Sequence, residues 1–258
     1  MPNQTNLRLI DVSKRYASGR AVLDSLSLDI ASGDIVALIG PRGCGKSTIL
    51  RLIAGLTPLT AGEIEYPDPE GRPAYATPSA FVFSEAALLP WRTVRRNILL
   101  PLQLAGIDRN EQDARANAMM KLWDISHIAQ RFPVQLTPGN RMRAAFARAM
   151  ITEPNCLLMD EPFAGLDAIT RNKLSAELMK VRSKQTFSAC LVTHSAAEAV
   201  FMANRIVVLS ANPGKIKEII EVEKDFPRKL AWRESNEFQE AVTRVRSTLN
   251  ESQEGVAS

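Results

Sequence analysis

No apolar run in this chain approaches the roughly 20 residues a membrane-spanning helix needs, which excludes a helical membrane span from its 258 residues. Residues Met1 to Leu9 are polar and lack a secretory hydrophobic stretch, so the expected compartment is the cytoplasm. Cysteine is scarce. Cys44, Cys156 and Cys190 form an odd set inside or beside apolar, strand-like runs, which argues against a disulfide framework and for reduced structural thiols. Neither charge dominates: 32 Lys and Arg against 28 Asp and Glu leave +4, too mild to single out nucleic acid or an anionic surface as partner. Internal repeats and low-complexity tracts are absent, and the apolar and charged fractions are ordinary for a globular domain.

What is present is concentrated in Asp34 to Leu50. An apolar strand-like run ends in Gly40-Pro41-Arg42-Gly43-Cys44-Gly45-Lys46-Ser47-Thr48, and a helical pattern follows. Gly40, Gly45, Lys46 and Ser47 fill the fixed places of G-x-x-x-x-G-K-[ST], the phosphate-binding loop. Glycines let backbone N–H groups close around a phosphate, and the positive end of the helix favours the anion. Lys46 then offers its charge to the β- and γ-phosphates, and the Ser47 hydroxyl offers a ligand to Mg²⁺. The chain binds a nucleoside triphosphate or descends from one that did.

The alternation in Leu7–Val12 and Leu26–Ile30 predicts strands, with a turn at Ser32–Asp34. A helix is expected over 48–56, then turns and short edge strands to Thr77. From Val94 to Ile151 the pattern is helical. Apolar strand runs return at Cys156–Met159, Ala189–Val192 and Ile206–Leu209, with a helix over 169–184 between the first two. Strand, helix, strand in that order implies a parallel sheet covered by helices. The charged tail from Lys215 predicts a short strand pair and a terminal helix that frays after Asn250.

The run Leu157–Met159 delivers two carboxylates, Asp160 and Glu161, at a strand end. Beside a phosphate loop, such an aspartate holds Mg²⁺ and a neighbouring base orients the attacking water. That assigns Asp160 to the metal and Glu161 to the water.

Asp160-Glu161-Pro162-Phe163-Ala164-Gly165-Leu166-Asp167-Ala168, followed by Val192-Thr193-His194, resembles the ATPase subunit of an ATP-binding-cassette (ABC) transporter. The resemblance runs from the Tyr16 region to about Gly214. Residues Val82–Trp91 and Val208–Gly214 are similar to the nitrate, sulfonate, taurine and bicarbonate importer group. It implies an α/β fold: a phosphate-loop (RecA-like) core with an N-terminal antiparallel β subdomain and an inserted helical subdomain. The corresponding divisions are 7–87 and 152–214 for the core, 88–151 for the helical subdomain and 215–258 for a C-terminal extension. ATP and Mg²⁺ are the implied ligands. Tyr16 would stack on adenine, His194 would contact the γ-phosphate and the attacking water, and Asp167 would lie at the contact between two such subunits. Leu88, Leu89 and Trp91 would form the apolar surface, near Ser84–Trp91, that meets a transmembrane permease. An external solute-binding protein, a place on the cytoplasmic face of the inner membrane, and no nucleic acid complete the implied setting.

Three departures stand out. The family signature, Leu-Ser-Gly-Gly followed by Gln or Met, reads Leu136-Thr137-Pro138-Gly139-Asn140 here, so one backbone donor is lost at Pro138. Ser84 stands where the family has a glutamine that reaches Mg²⁺, and Ser195 where an aspartate follows the histidine. In this family the signature acts on the nucleotide held by the opposite subunit. Lys46, Ser47, Asp160, Glu161 and His194 act on the chain's own. That asymmetry favours a heterodimer with an intact second ATPase subunit over a homodimer. The alternative is a regulatory or structural ABC subunit with little or no hydrolysis. A DNA-repair or chromosome-organising ATPase is disfavoured, because only a short helical segment separates Ser84 from Thr137.

Overall fold

The alternating N-terminal segment divides between two sheets. In the computed structural model, which describes residues 5–17, 19, 21–67, 78–185, 187–211 and 213–254, β1 (Thr5–Arg15) and β2 (Ala21–Ala31) pair antiparallel, and β4 (Ala61–Glu65) adds to the other edge of β1. The next strand, β3 (Ile35–Ile39), leaves them for a second, six-stranded sheet. There β5 (Ser79–Val82), β6 (Cys156–Asp160), β7 (Ser188–Val192), β3 and β8 (Arg205–Leu209) run parallel, and β9 (Ile216–Glu221) closes the edge antiparallel to β8.

The core follows from the two-residue period of a strand with both faces covered. Val36 and Leu38 of β3 point into a cluster with Leu7, Leu9 and Val12 of β1 and Ile49 of α1 (Lys46–Ile53). Ile35, Ala37 and Ile39 point the opposite way, into a larger cluster. That cluster includes α2 (Val94–Leu104), α3 (Arg109–Leu122), α4 (Pro138–Met150), α5 (Ala168–Lys184) and α6 (Ala196–Met202). Within it Trp123 stacks on Phe146 with ring centroids 5.0 Å apart, both buried. Truncating either ring to alanine costs about 3–5 kcal/mol.

The helix starts are written in the chain. Thr93, Asp108, Thr137, Asp167 and Ser195 each occupy an N-cap and accept a hydrogen bond from a backbone N–H of the first turn. The phosphate-loop helix begins at Lys46, two residues before the expected start, because Gly45 caps it with φ 98°.

The tail differs from its expectation. Rather than a strand pair of its own, β9 adds to β8, where Ile216 and Ile220 pack inward and Ile219 stays exposed at the main sheet's edge. The last helix, α7 (Asn236–Glu254), continues past Asn250. Arg228 fastens this extension: its guanidinium is buried and donates to the carbonyls of Val200, Ala203, Val222 and Lys224. Part of the expected turn region, residues 68–77, and Asn212 lie outside the described residues.

Candidate active site

The site is built where the parallel strands end. Ile39 closes β3, and the chain turns through Gly40 to Gly45 into α1. Two glycines are needed for space. A Cβ at Gly40 would lie 2.8 Å from the Leu209 carbonyl, and one at Gly45 would lie 2.7 Å from Leu23 Cδ2. Lys46 is 6% exposed, and its Nζ donates to the Gly40 and Pro41 carbonyls at 2.8 and 2.9 Å, with Cys44 Sγ at 3.6 Å. A thiol is a weak acceptor, so a phosphate oxygen competes well for that third proton.

Parallel pairing of β6 and β7 sets Asp160 opposite Val192. The residues that follow, Glu161 on one strand and Thr193-His194 on the other, therefore emerge side by side. His194 Nε2 lies 2.8 Å from Glu161 Oε1. Glu161 adopts φ 49°, a left-handed conformation unusual away from glycine, while its N–H donates to the Val192 carbonyl at 2.9 Å. Such a backbone costs about 1–3 kcal/mol and aims the carboxylate.

Ser47 Oγ donates to Asp160 Oδ1 at 2.9 Å, bringing two hard oxygens together. Burial raises the Asp160 pKa, with the Glu161 charge adding to it, while the Ser47 hydrogen bond and the Arg51 and Lys46 charges oppose. Among the described residues no three His, Cys, Asp or Glu side chains gather as a metal cage. One serine hydroxyl and one carboxylate suit Mg²⁺, which keeps its remaining ligands as water and phosphate oxygens.

A cleft of about 690 Å³ joins these groups, lined by Tyr16, Val22, Arg42, Gly43, Gly45, Lys46, Ser47, Thr48, Glu161 and His194. Tyr16 is 41% exposed at its mouth, with Lys14 Nζ 5.2 Å from the ring centre. Gly40, Pro41 and Cys44 belong to the loop behind that wall, and Asp160 reaches it through Ser47. Ser84, exposed just after β5, is not part of the lining.

The remaining sequence-selected residues lie on other surfaces. Thr137 is the N-cap of α4, and its hydroxyl accepts from Asn140 N at 3.3 Å. Pro138 occupies the first turn, where its fixed φ suits the helix, so proline costs the segment a donor but no conformational strain. Gly139 lies against α5: a Cβ there would meet Thr170 Cγ2 at 2.8 Å. Asn140 Oδ1 accepts from Arg143, which also makes a bidentate pair with Glu177 of α5 at 2.7 Å for both bonds. Asp167 is solvent-exposed and caps α5 through Ile169 N and Thr170 N, and hydrogen bonds from this first turn hold its carboxyl below the usual range. Ser195 caps α6 just as an aspartate would.

Trp91 is 70% exposed, whereas Leu88 packs partly against the core. Two residues overlooked in the sequence hold this loop. Arg148 of α4 donates to the carbonyls of Ala86 and Ala87. Asn97, fully buried in α2, donates to the carbonyls of Leu89, Arg92 and Thr93 and accepts from Leu89 N. A helix-borne arginine or asparagine carries no sequence signal for such contacts, which depend on how the helices pack.

A family model described as ABC transporter matches residues 23–164, from β2 through the paired carboxylates. The chain belongs to the ABC transporter family. It is 39% identical over 223 residues to an uncharacterized ABC transporter ATP-binding protein of Methanocaldococcus jannaschii, covering 86% of this chain and 83% of that one. It is 36% identical over 230 residues to the taurine import ATP-binding protein TauB of Escherichia coli, covering 88% and 89%. Among solved structures, the dimeric ATP-binding cassette MJ0796 in a post-hydrolysis state with ADP and Pi superposes with a TM-score of 0.71 at 27% identity, covering 85% of this chain and all of that one. This ABC protein is therefore an ATPase of the phosphate-loop fold.

Proposed function

We propose that this chain powers a membrane importer of small anionic or sulfonate-like solutes, as one ATPase subunit of a heterodimer whose other subunit carries an intact signature. The observation that carries the hydrolytic reading is the convergence of Lys46, Ser47, Glu161 and His194 on one cleft. The solute class rests on likeness to taurine import proteins. An external solute-binding protein and a position against the inner membrane are part of the same proposal.

In this reading Tyr16 stacks on adenine, and the N–H groups of Gly43 to Thr48 with Lys46 hold the phosphates. Ser47 and Asp160 hold Mg²⁺, which neutralises phosphate charge when bound. Glu161 accepts a hydrogen bond from the attacking water and draws off its proton. His194 holds the water and the γ-phosphate in line, and its contact with Glu161 fixes both side chains before substrate arrives. Thr137, Gly139 and Asn140 face the partner's nucleotide, Asp167 meets the partner, and residues 88–151 form the arm that meets the permease near Trp91.

The backbone donor that Pro138 lacks costs a few kcal/mol of transition-state stabilisation where phosphate charge develops, by the magnitude of oxyanion-donor deletions. Two copies would then make two weak sites, whereas an intact partner restores one. Isolation of this chain from membranes tests the assembly: a permease and a second ATPase subunit with the full signature should accompany it. Recovery as a homodimer with a permease and brisk turnover contradicts the heterodimer. The second reading, a subunit that closes on ATP without cleaving it, is favoured by Ser84 and Pro138, and requires that no partner restore hydrolysis.

A further inference from the structure

Glu198 is a buried carboxylate that the chemistry above does not use. It sits in the first turn of α6 at 6% exposure. Its context, Ser195-Ala196-Ala197-Glu198, spells a capping box, in which the acid would reach back to the Ser195 N–H. Thr193 stands in between instead. Ser195 N donates to Thr193 Oγ1 at 3.0 Å, Thr193 Oγ1 donates to Glu198 Oε2 at 2.6 Å, and Glu198 N donates to Ser195 Oγ at 3.2 Å. His194 lies inside this ring of bonds, so its backbone is held from both neighbours.

The other carboxylate oxygen faces a different loop. Glu198 Oε1 is 3.6 Å from Arg171 Nε on α5, and Arg171 Nη2 donates to the Leu166 carbonyl at 2.9 Å. Leu166 immediately precedes Asp167. At 3.6 Å the ion pair is beyond hydrogen-bond length. Arg171 Nε is one of the buried side-chain nitrogens that have no hydrogen-bond partner among the described residues. Buried donors are nearly always satisfied, and the acceptor that faces this one is Glu198 Oε1. A shift of about 0.5 Å toward Glu198 makes the bond. Arg233, stacked 4.2 Å over the Phe201 ring, supplies a second positive charge near the same carboxylate.

We propose that Arg171 and Glu198 are positioning residues that connect the subunit-contact turn to His194. When a second subunit bears on Asp167 and Ile169, Arg171 closes onto Glu198, the Thr193–Ser195 turn tightens, and the imidazole is set against Glu161. Ile169 is 69% exposed, ready to be pressed. The proposal rests on the reading of His194 as the residue that holds water and phosphate. It gives the coupling a physical element with two states, an ion pair either apart or hydrogen-bonded.

The test uses the full chain with Arg171→Ala, Glu198→Gln and the double variant. The Arg171 side chain is 35% exposed but pairs with a buried carboxylate, so the unfolding temperature of each variant is measured beside turnover to show that the fold stays in place. Each single variant should bind ATP as the wild type does and lose about tenfold in turnover, within the usual range of coupling between sites. The double variant should lose no more than the worse single variant, and multiplying losses would overturn the proposal.

A second readout does not depend on turnover. The chain has 2 histidines, so His127 serves as an internal reference for the His194 ring signals in NMR. With ATP bound, Arg171→Ala should move the His194 signals and leave those of His127 in place. Unmoved His194 signals overturn the proposal. Moved signals in a chain that does not hydrolyse ATP would uphold the brace while refuting the hydrolytic reading.

Discussion

His194 Nε2 lies 2.8 Å from Glu161 Oε1, across the ends of two adjacent parallel strands. The contact makes the two side chains one unit: the ring can hold the carboxylate in the orientation that receives a proton from water. Glu161→Gln keeps the shape and removes the carboxylate proposed as the base. Turnover should fall about 10²–10⁴-fold, as for other general bases, with ATP affinity preserved. Because the pair acts together, adding His194→Ala should cost little more. Turnover assays and equilibrium ATP binding decide this, and retained hydrolysis in Glu161→Gln would remove it from the chemistry.

Asp160 links function to stability through pH. Burial, chiefly, raises its pKa from 3.8. The folded chain therefore holds this proton more tightly than the unfolded chain. The stability contributed is present below the unfolded value and is lost as pH rises through the folded one. Asp160→Asn should accordingly raise the unfolding temperature at about pH 7 and change it little at about pH 4. It should also abolish Mg²⁺-dependent turnover, the usual trade between a strained site and activity. Thermal unfolding without nucleotide at both pH values checks the sign, and a larger gain at low pH would contradict it.

Gly45 combines a left-handed backbone, φ 98°, with a Leu23 methyl 2.7 Å from the site of a Cβ. Placing alanine in that conformation costs about 1–2 kcal/mol before any clash, or about 2–8 °C in unfolding temperature. Gly45→Ala should lose at least this much, together with ATP affinity. Gly165 has open space around a would-be Cβ and a φ outside the left-handed range. Gly165→Ala should leave the unfolding temperature unchanged in the same scan.

Much of this was legible in the residues because the decisive signals are local. Cys156–Met159, read as a strand ending in two carboxylates, is β6 with Asp160 as its last residue. The helix expected over 169–184 is α5, one residue longer. Gly40 to Thr48 spells its own turn and helix. What stayed hidden depends on distant partners. The isoleucines of β9 show an edge strand but not that β8 would receive it. Nothing in a run of residues tells that Glu161 takes φ 49°, since the Val192 carbonyl that holds it lies 31 positions away. Arg148, Asn97 and Arg228 hold backbone carbonyls in ways fixed only by packing. Pro138 was half legible: the lost donor shows in the sequence, but its fit to the first turn of α4 needed the helix.

The proposed heterodimer requires that this chain's own nucleotide site be competent and its signature weak. One mixture isolates the two. A repaired chain with Thr137→Ser, Pro138→Gly and Asn140→Gln, further carrying Glu161→Gln, cannot hydrolyse at its own site but offers a full signature. Mixed dimers with the wild type then pair a wild-type cleft with that signature. ATP turnover per wild-type chain should rise at least about tenfold over the wild type alone, the scale of restoring one transition-state donor. Turnover no higher than that of the same amount of wild type alone would mean that the signature at Pro138 does not limit the wild-type chain.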